Sequence, residues 1–534
     1  MATMAVTASK SPARSAKPQS NRQAPLAGAF SVFMALAYAN NADALDWRFS
    51  PSVGATATYT DNANQSDSNP EDALILSVRP GFSLTSSGSR RVQASVTYSL
   101  SGVARFGEDN SNDIYHGLGA LGKAELVEDF LFIEGTTNVS QALVSLFGSN
   151  ADAAINDANR STTGVYSVSP YIQKRFGTFA TAQARYTTGG AIFDDNAASD
   201  SSTNAFSAGV ASGTRFNDLS WGVNYSLRKA DNSDGADNTT FERATLSLGY
   251  ALSGKFRVFG TVGEEWNDYV GASDIDGSSY SVGFGWAPTR RASLEASVGE
   301  RYFGRTFSFS GNYRTRSTSW YARYSEDVSD ITQQLLQDSG RIFWICGPNV
   351  FETPDFNPPN GQTDCQGPYS GLSIAYILAQ LGIQVDPAQL VALGLADIAL
   401  ANGVYVLKSL NAGVSWSRGR TGLGLSVFDT TREYQLISGA EDRTQGITGT
   451  LSYRLTPQST ANGSLSYTRN TANSALLSAP DREDDTLSLN LGLNRQFGKD
   501  LGGSLNFRHS QRDSNAADAD YQENSLTASV NMRF

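Results

Sequence analysis

The stretch Val92-Gln93-Ala94-Ser95-Val96-Thr97-Tyr98-Ser99-Leu100-Ser101 alternates apolar and polar residues without a break. A helix cannot gather a period-two pattern on one face. A strand sends Val92, Ala94, Val96, Tyr98 and Leu100 to one side and Gln93, Ser95, Thr97, Ser99 and Ser101 to the other. The same alternation sets Leu74, Leu76, Val78, Phe82 and Leu84 against Ser77, Arg79, Gly81 and Ser83, and Leu487, Leu489, Leu491 and Leu493 against Ser488, Asn490, Gly492 and Asn494. It recurs from residue 47 to the end of the chain, interrupted alternately by tight turns and by longer loops rich in Asp, Asn, Ser and Gly.

Alternation also describes a soluble sandwich, so strand length, loop asymmetry and aromatic placement decide. Strands of about 9–11 residues suit a tilted crossing of a bilayer, whereas globular strands cluster near five or six. Short turns such as Glu128-Asp129, Gly254-Lys255 and Gly498-Lys499-Asp500 alternate with long loops near 61–72, 141–162, 191–202 and 471–483, the arrangement of an outer-membrane barrel. Tyr98, Tyr225, Trp286, Trp320, Tyr453 and Tyr467 fall at strand ends on the apolar face, where amphipathic rings suit the interface. The expected fold is all-β: a large transmembrane antiparallel β-barrel of even strand number, about 22, with one partly helical insertion.

Composition agrees. The 534 residues carry 41 Lys and Arg against 52 Asp and Glu, a net charge of −11, which is the wrong sign for a nucleic-acid partner. Ten per cent aromatic content excludes a disordered tail protein, and two cysteines cannot build a four-thiolate zinc site. Lys10, Arg14, Lys17 and Arg22 precede an apolar run from Leu26 to Tyr38, followed by Ala42-Asp43-Ala44. That is a secretory signal, so residues 1–44 are expected to be removed and 45–534 to form the barrel. At the other end Leu526, Ala528, Val530, Met532 and Phe534 alternate with polar residues and the sequence stops on the aromatic, resembling the C-terminal insertion signal of bacterial outer-membrane barrels.

Residues 329–403 break the pattern. Strand parity puts them on the side of the long loops. Leu372 to Val385 and Ala388 to Ala401 read as two short helices, the second opened by Asp386-Pro387. Cys346 and Cys365 close a short loop in an oxidising compartment and are expected to form a disulfide. So long a loop reads as a lid or plug, and the sequence leaves open whether it enters the barrel or caps it.

Chemistry is narrowed by the two histidines. His116 and His509 share parity with Leu118 and Phe507 and so point outward, away from any barrel-borne nucleophile; an enzyme is not expected. The acidic stretches Asp231 to Gly235 and Asp274 to Gly277 lack the distal Glu of a calcium loop and read as turns, and no cofactor is expected. Arg79, Arg185, Arg228, Arg243, Arg257, Arg301, Arg314, Arg323, Arg454 and Arg508 all take the polar parity and are candidates to line the lumen. They would favour anions there, unless they sit at strand ends or pair with neighbouring carboxylates.

The stretches Ser297 to Thr306 and Trp320 to Glu326, with Pro51-Ser52-Val53 and Val78-Arg79-Pro80-Gly81-Phe82, resemble outer-membrane proteins associated with the PEP-CTERM/exosortase system. That resemblance implies a barrel encoded with exopolysaccharide biosynthesis and export. The expected partners are outer-membrane lipid and lipopolysaccharide, the barrel assembly machinery, and exopolysaccharide with its periplasmic export proteins. Three functions follow: an exopolysaccharide conduit or accessory, a general or anion-selective porin, and a structural or assembly barrel closed by its insertion.

Overall fold

The structure is a computed structural model that describes residues 46–87, 91–107, 110–149, 154–194, 198–233, 238–269, 275–346, 349–354, 356–358, 365–373, 400, 403–477 and 479–534. Alternation from Asp46 onward produces 22 long strands, which form one antiparallel sheet. Each pairs with its neighbour in the chain, as hairpins linked by short connections must. β1 (Asp46–Thr60) then meets β25 (Tyr521–Arg533) in register from Ser52 opposite Arg533 to Thr60 opposite Ser525. The sheet is therefore closed, with no edge left to solvate, which is the condition for strands in hydrocarbon.

The two parities separate into two surfaces. Leu246, Leu248, Val282, Phe307, Leu425, Leu451, Leu465, Leu491 and Val530 belong to an exposed apolar wall that continues around the barrel. A soluble monomer does not tolerate a patch of that extent, so this wall faces lipid and the protein is an outer-membrane β-barrel. Toward the long-loop ends, outward tyrosines donate to polar groups on the next strand: Tyr225 to Glu242 at 2.7 Å, Tyr186 to Asn204 at 2.8 Å and Tyr467 to Asp485 at 2.8 Å. Tyr98 and His116 share a hydrogen bond at 2.9 Å, and His509 meets Asn524 at 2.8 Å. Both histidines thus point outward and bond polar partners on the adjacent strand, as their parity requires.

The sheet order skips from β15 (Thr318–Ser329) to β19 (Tyr405–Arg418), which pair directly from Ser329 opposite Tyr405 to Thr318 opposite Trp416. The insertion leaves and returns at one point of the wall, at the long-loop end. It holds α1 (Ile331–Gly340) and a three-stranded sheet in the order β17 (Asn349–Thr353), β16 (Ile342–Cys346), β18 (Cys365–Ser370). Neither α1 nor this sheet was expected from the sequence. The signal segment and nearly all of the two expected helices, Leu372 to Val385 and Ala388 to Ala401, lie outside the described residues, as do parts of both acidic stretches weighed as calcium loops.

Candidate functional site: an occupied bore

Asp330 starts the site. With extended backbone, it caps α1 by accepting from the Gln333 amide at 2.8 Å, and its other carboxylate oxygen takes Arg228 from β9 (Leu219–Asn232) at 2.5 Å. An N-cap carboxylate also suits the positive helix end. Ile331 and Leu335, four apart on one face, bury against Val165 of β6 (Arg160–Phe176) and Ala191 and Phe193 of β7 (Ala180–Phe193). All three wall residues are on the inward parity, so α1 lies inside the barrel. Hydroxyl pairs fasten it further: Thr332 with Ser201, and Ser339 with Thr136 of β5 (Leu131–Leu143) at 3.1 Å. Tyr405 donates to Gln334 at 2.8 Å.

Beyond α1 the segment forms its own small core of Phe343, Ile345 and Val350, all buried. Arg341 forks onto Glu352 at 3.0 and 2.9 Å. Cys346 and Cys365 stand opposite each other on β16 and β18 and form the disulfide. The turn at Gly371 returns so close to α1 that a Cβ there would lie 2.3 Å from the Asp338 carbonyl oxygen. Burial pushes the Tyr369 hydroxyl up to about 12, against the opposing pull of Arg533, the final residue of β25 at the short-turn end, with which it lines one cavity. The segment therefore runs down the bore from the long-loop end to the short-turn end. Between plug and cap, the described residues form a plug.

A second element crosses the mouth. Between β5 and β6, residues 154–159 dock Ile155 against Ile75 and Val103 on the inner wall, and residues 144–149 belong to the same connection. They then reach to the far strands, where Arg512 donates to the carbonyls of Phe147 at 3.2 Å and Gly148 at 2.7 Å, and Arg482 to that of Phe147 at 3.0 Å. Asp484, with no exposed surface, faces both arginines. The sequence signal for both docking sites was present: Ile75, Val103, Val165, Ala191 and Phe193 are apolar residues on a parity that elsewhere is polar.

All ten arginines selected from the sequence occupy the inward parity, yet five of them face carboxylates. Arg301 of β13 (Ala292–Arg301) forks onto Glu265 at 2.8 and 2.9 Å and reaches Asp327 at 2.6 Å; Arg243 shares Glu265 at 3.3 Å. Arg185 pairs with Glu134 at 2.7 Å, Arg257 with Glu295, and Arg228 with Asp330 of the insertion. Arg79 donates to Ser101 at 2.8 Å. Arg314, Arg323 and Arg454 are exposed on the inner face and Arg508 is half-buried. Along these strands the bore therefore carries ion pairs that tie strands together rather than a uniform cationic lining. No group of three or more His, Cys, Asp or Glu side chains among the described residues could hold a metal ion.

No family model and no curated protein matches the chain. Among solved structures it is similar to the siderophore receptor PirA from Pseudomonas aeruginosa, at 10% identity over 92% of this chain and 81% of that one, with a TM-score of 0.40. The FrpB iron transporter from Neisseria meningitidis, F5-1 variant, matches at 11% identity over 91% and 82%, TM-score 0.47. A mutant of the ferric enterobactin receptor PfeA from Pseudomonas aeruginosa matches at 11% over 91% and 81%, TM-score 0.47. Values this low carry no argument about cargo.

Proposed function

We propose that the chain is an outer-membrane conduit that passes exopolysaccharide outward and is closed at rest by its own inserted segment. The observation that carries this reading is the seating of α1 and its small sheet along the inner wall of β3 (Val92–Phe106) to β7. An open porin for small solutes has no use for a folded element of this depth in its bore, whereas a passage for a bulky, intermittent cargo must be sealed between events. Exopolysaccharide is the cargo implied by the resemblance of the strand motifs.

The test pairs a host measurement with a physical one. Removing the chain from its host should lower extracellular polymer, and the refolded barrel should conduct weakly in a planar bilayer until residues 330–404 are replaced by a short loop. Unchanged polymer would end the export reading. High conductance in the intact barrel would favour the porin, and none in either form would favour the structural barrel.

A further inference from the structure

At the short-turn end, between the insertion and the inner wall, lies a cavity of about 520 Å³, within the range of about 300–1,000 Å³ typical of small-ligand sites. Its floor is the inward face of β1, β2 (Ala73–Ser87) and β3, which contributes serine and threonine hydroxyls and the Gln93 amide. Its roof is the insertion, with the amides of Asn357 and Gln366 and the rings of Trp344 and Phe356. Arg48 and Arg533 complete the lining, to which no carboxylate contributes among the described residues. That sets this side of the wall apart from the strands where Arg185 faces Glu134 and Arg257 faces Glu295.

Each part of the lining selects something. Two guanidinium groups with no opposing acid favour an anion, and their forked donors match a carboxylate. A wall of hydroxyls and amides offers both donors and acceptors at close spacing, which suits a ligand that is itself hydroxylated. Aromatic rings on the opposite side offer a flat apolar face to the C–H side of a ring. A small inorganic anion would use the arginines and leave the remainder idle, and an apolar ligand would strand the hydroxyls unpaired.

We propose that this cavity is a binding site for an acidic saccharide, held by its carboxylate at Arg48 and Arg533 and by one ring face against Trp344. The identification of the saccharide as part of an export cargo rests on the conduit reading; the site itself does not. Because the arginines come from the wall and the aromatics from the insertion, an occupant bridges the two. A sugar arriving from the short-turn side would thus touch the wall and the plug together.

The experiment uses the full-length refolded protein with trigalacturonate as probe and maltotriose as its neutral counterpart, read by calorimetric titration and by tryptophan fluorescence. Trigalacturonate should bind at least tenfold more tightly than maltotriose and weaken as salt rises. R48Q should reduce its affinity about tenfold or more, W344F should remove the fluorescence change, and K499Q, an equal charge loss in a nearby turn, should do neither. R533Q is a supporting variant, and heat-modifiable migration of each variant establishes that its barrel is closed. Equal binding of the two oligosaccharides, no binding of trigalacturonate, or binding unaffected by R48Q would overturn the site. If R48Q abolishes binding while a host lacking the chain still secretes normal polymer, the site stands and export falls. If secretion depends on the chain while trigalacturonate does not bind, the site alone falls.

Discussion

Arg228 on the barrel wall and Asp330 at the root of the insertion share one carboxylate between two duties: one oxygen takes the guanidinium and the other caps α1. Both side chains are about 15% exposed, so the pair is largely removed from water. D330A should therefore lose a cap, worth about 1 kcal/mol, and strand a mostly buried arginine, for a combined cost of roughly 3 kcal/mol to the docking of α1. D330N should keep the cap and lose less. Limited proteolysis of the insertion, with the barrel's heat-modifiable migration unchanged, is the readout; equal behaviour of the two variants would refute the dual role.

The disulfide should stabilise the plug and not the wall. Cys346 and Cys365 are 19 residues apart, for which loop-closure entropy gives about 3 kcal/mol. Reduction, or C346S with C365S, should raise the sensitivity of residues 342–370 to protease and increase bilayer conductance. The apparent melting of the strand signal in circular dichroism should stay within a few degrees.

Inside and outside should respond oppositely to charge. Leu491 lies in the exposed apolar wall, and L491R should cost about 2–4 kcal/mol if it sits near the bilayer midplane, seen as reduced insertion. R323E and R454E, on the inward parity, should assemble nearly as well as the parent while shifting reversal potential toward cation preference. Matching assembly defects in the two sets would contradict the observed facing of these strands.

Asp338 gives the insertion a pH dependence of defined sign. Burial raises its carboxyl above the ordinary carboxylate value, against the pull of Arg341. Ionisation is then harder in the docked segment than in the released one, so its contribution is fully present below the ordinary value and is lost as pH rises through the raised one. Docking measured by protease resistance should be greater at mildly acidic pH than at neutral pH, and D338N should flatten this difference.

The barrel was legible because hydrocarbon and water impose opposite demands on alternate residues, and ten residues such as Val92 to Ser101 carry that demand without help from the rest of the chain. Parity then placed both histidines outward and the ten arginines inward. Their pairing was not legible: Arg301 and Glu265 are separated by an intervening strand, and the arginine reaches its acid across the small residues Gly277 and Ser279. α1 was missed because ten residues give a weak amphipathic signal, although Asp330 ahead of Ile331 and Leu335 had the form of a capped start. That the insertion enters the bore was written in Val165, Ala191 and Phe193, which break the polar parity, but their partner is more than a hundred residues away.

The return of the insertion to the strand beside the one it left has a consequence for biogenesis. Seven strands, β19 to β25, are still to come when its chain has been made, and the seam between β1 and β25 is the last to be available. A segment already tethered at both ends can be wrapped by those strands as the wall curls shut. The stopper is then enclosed like a clapper cast within its bell, and the cell need never expose an unsealed hole while the barrel is being completed.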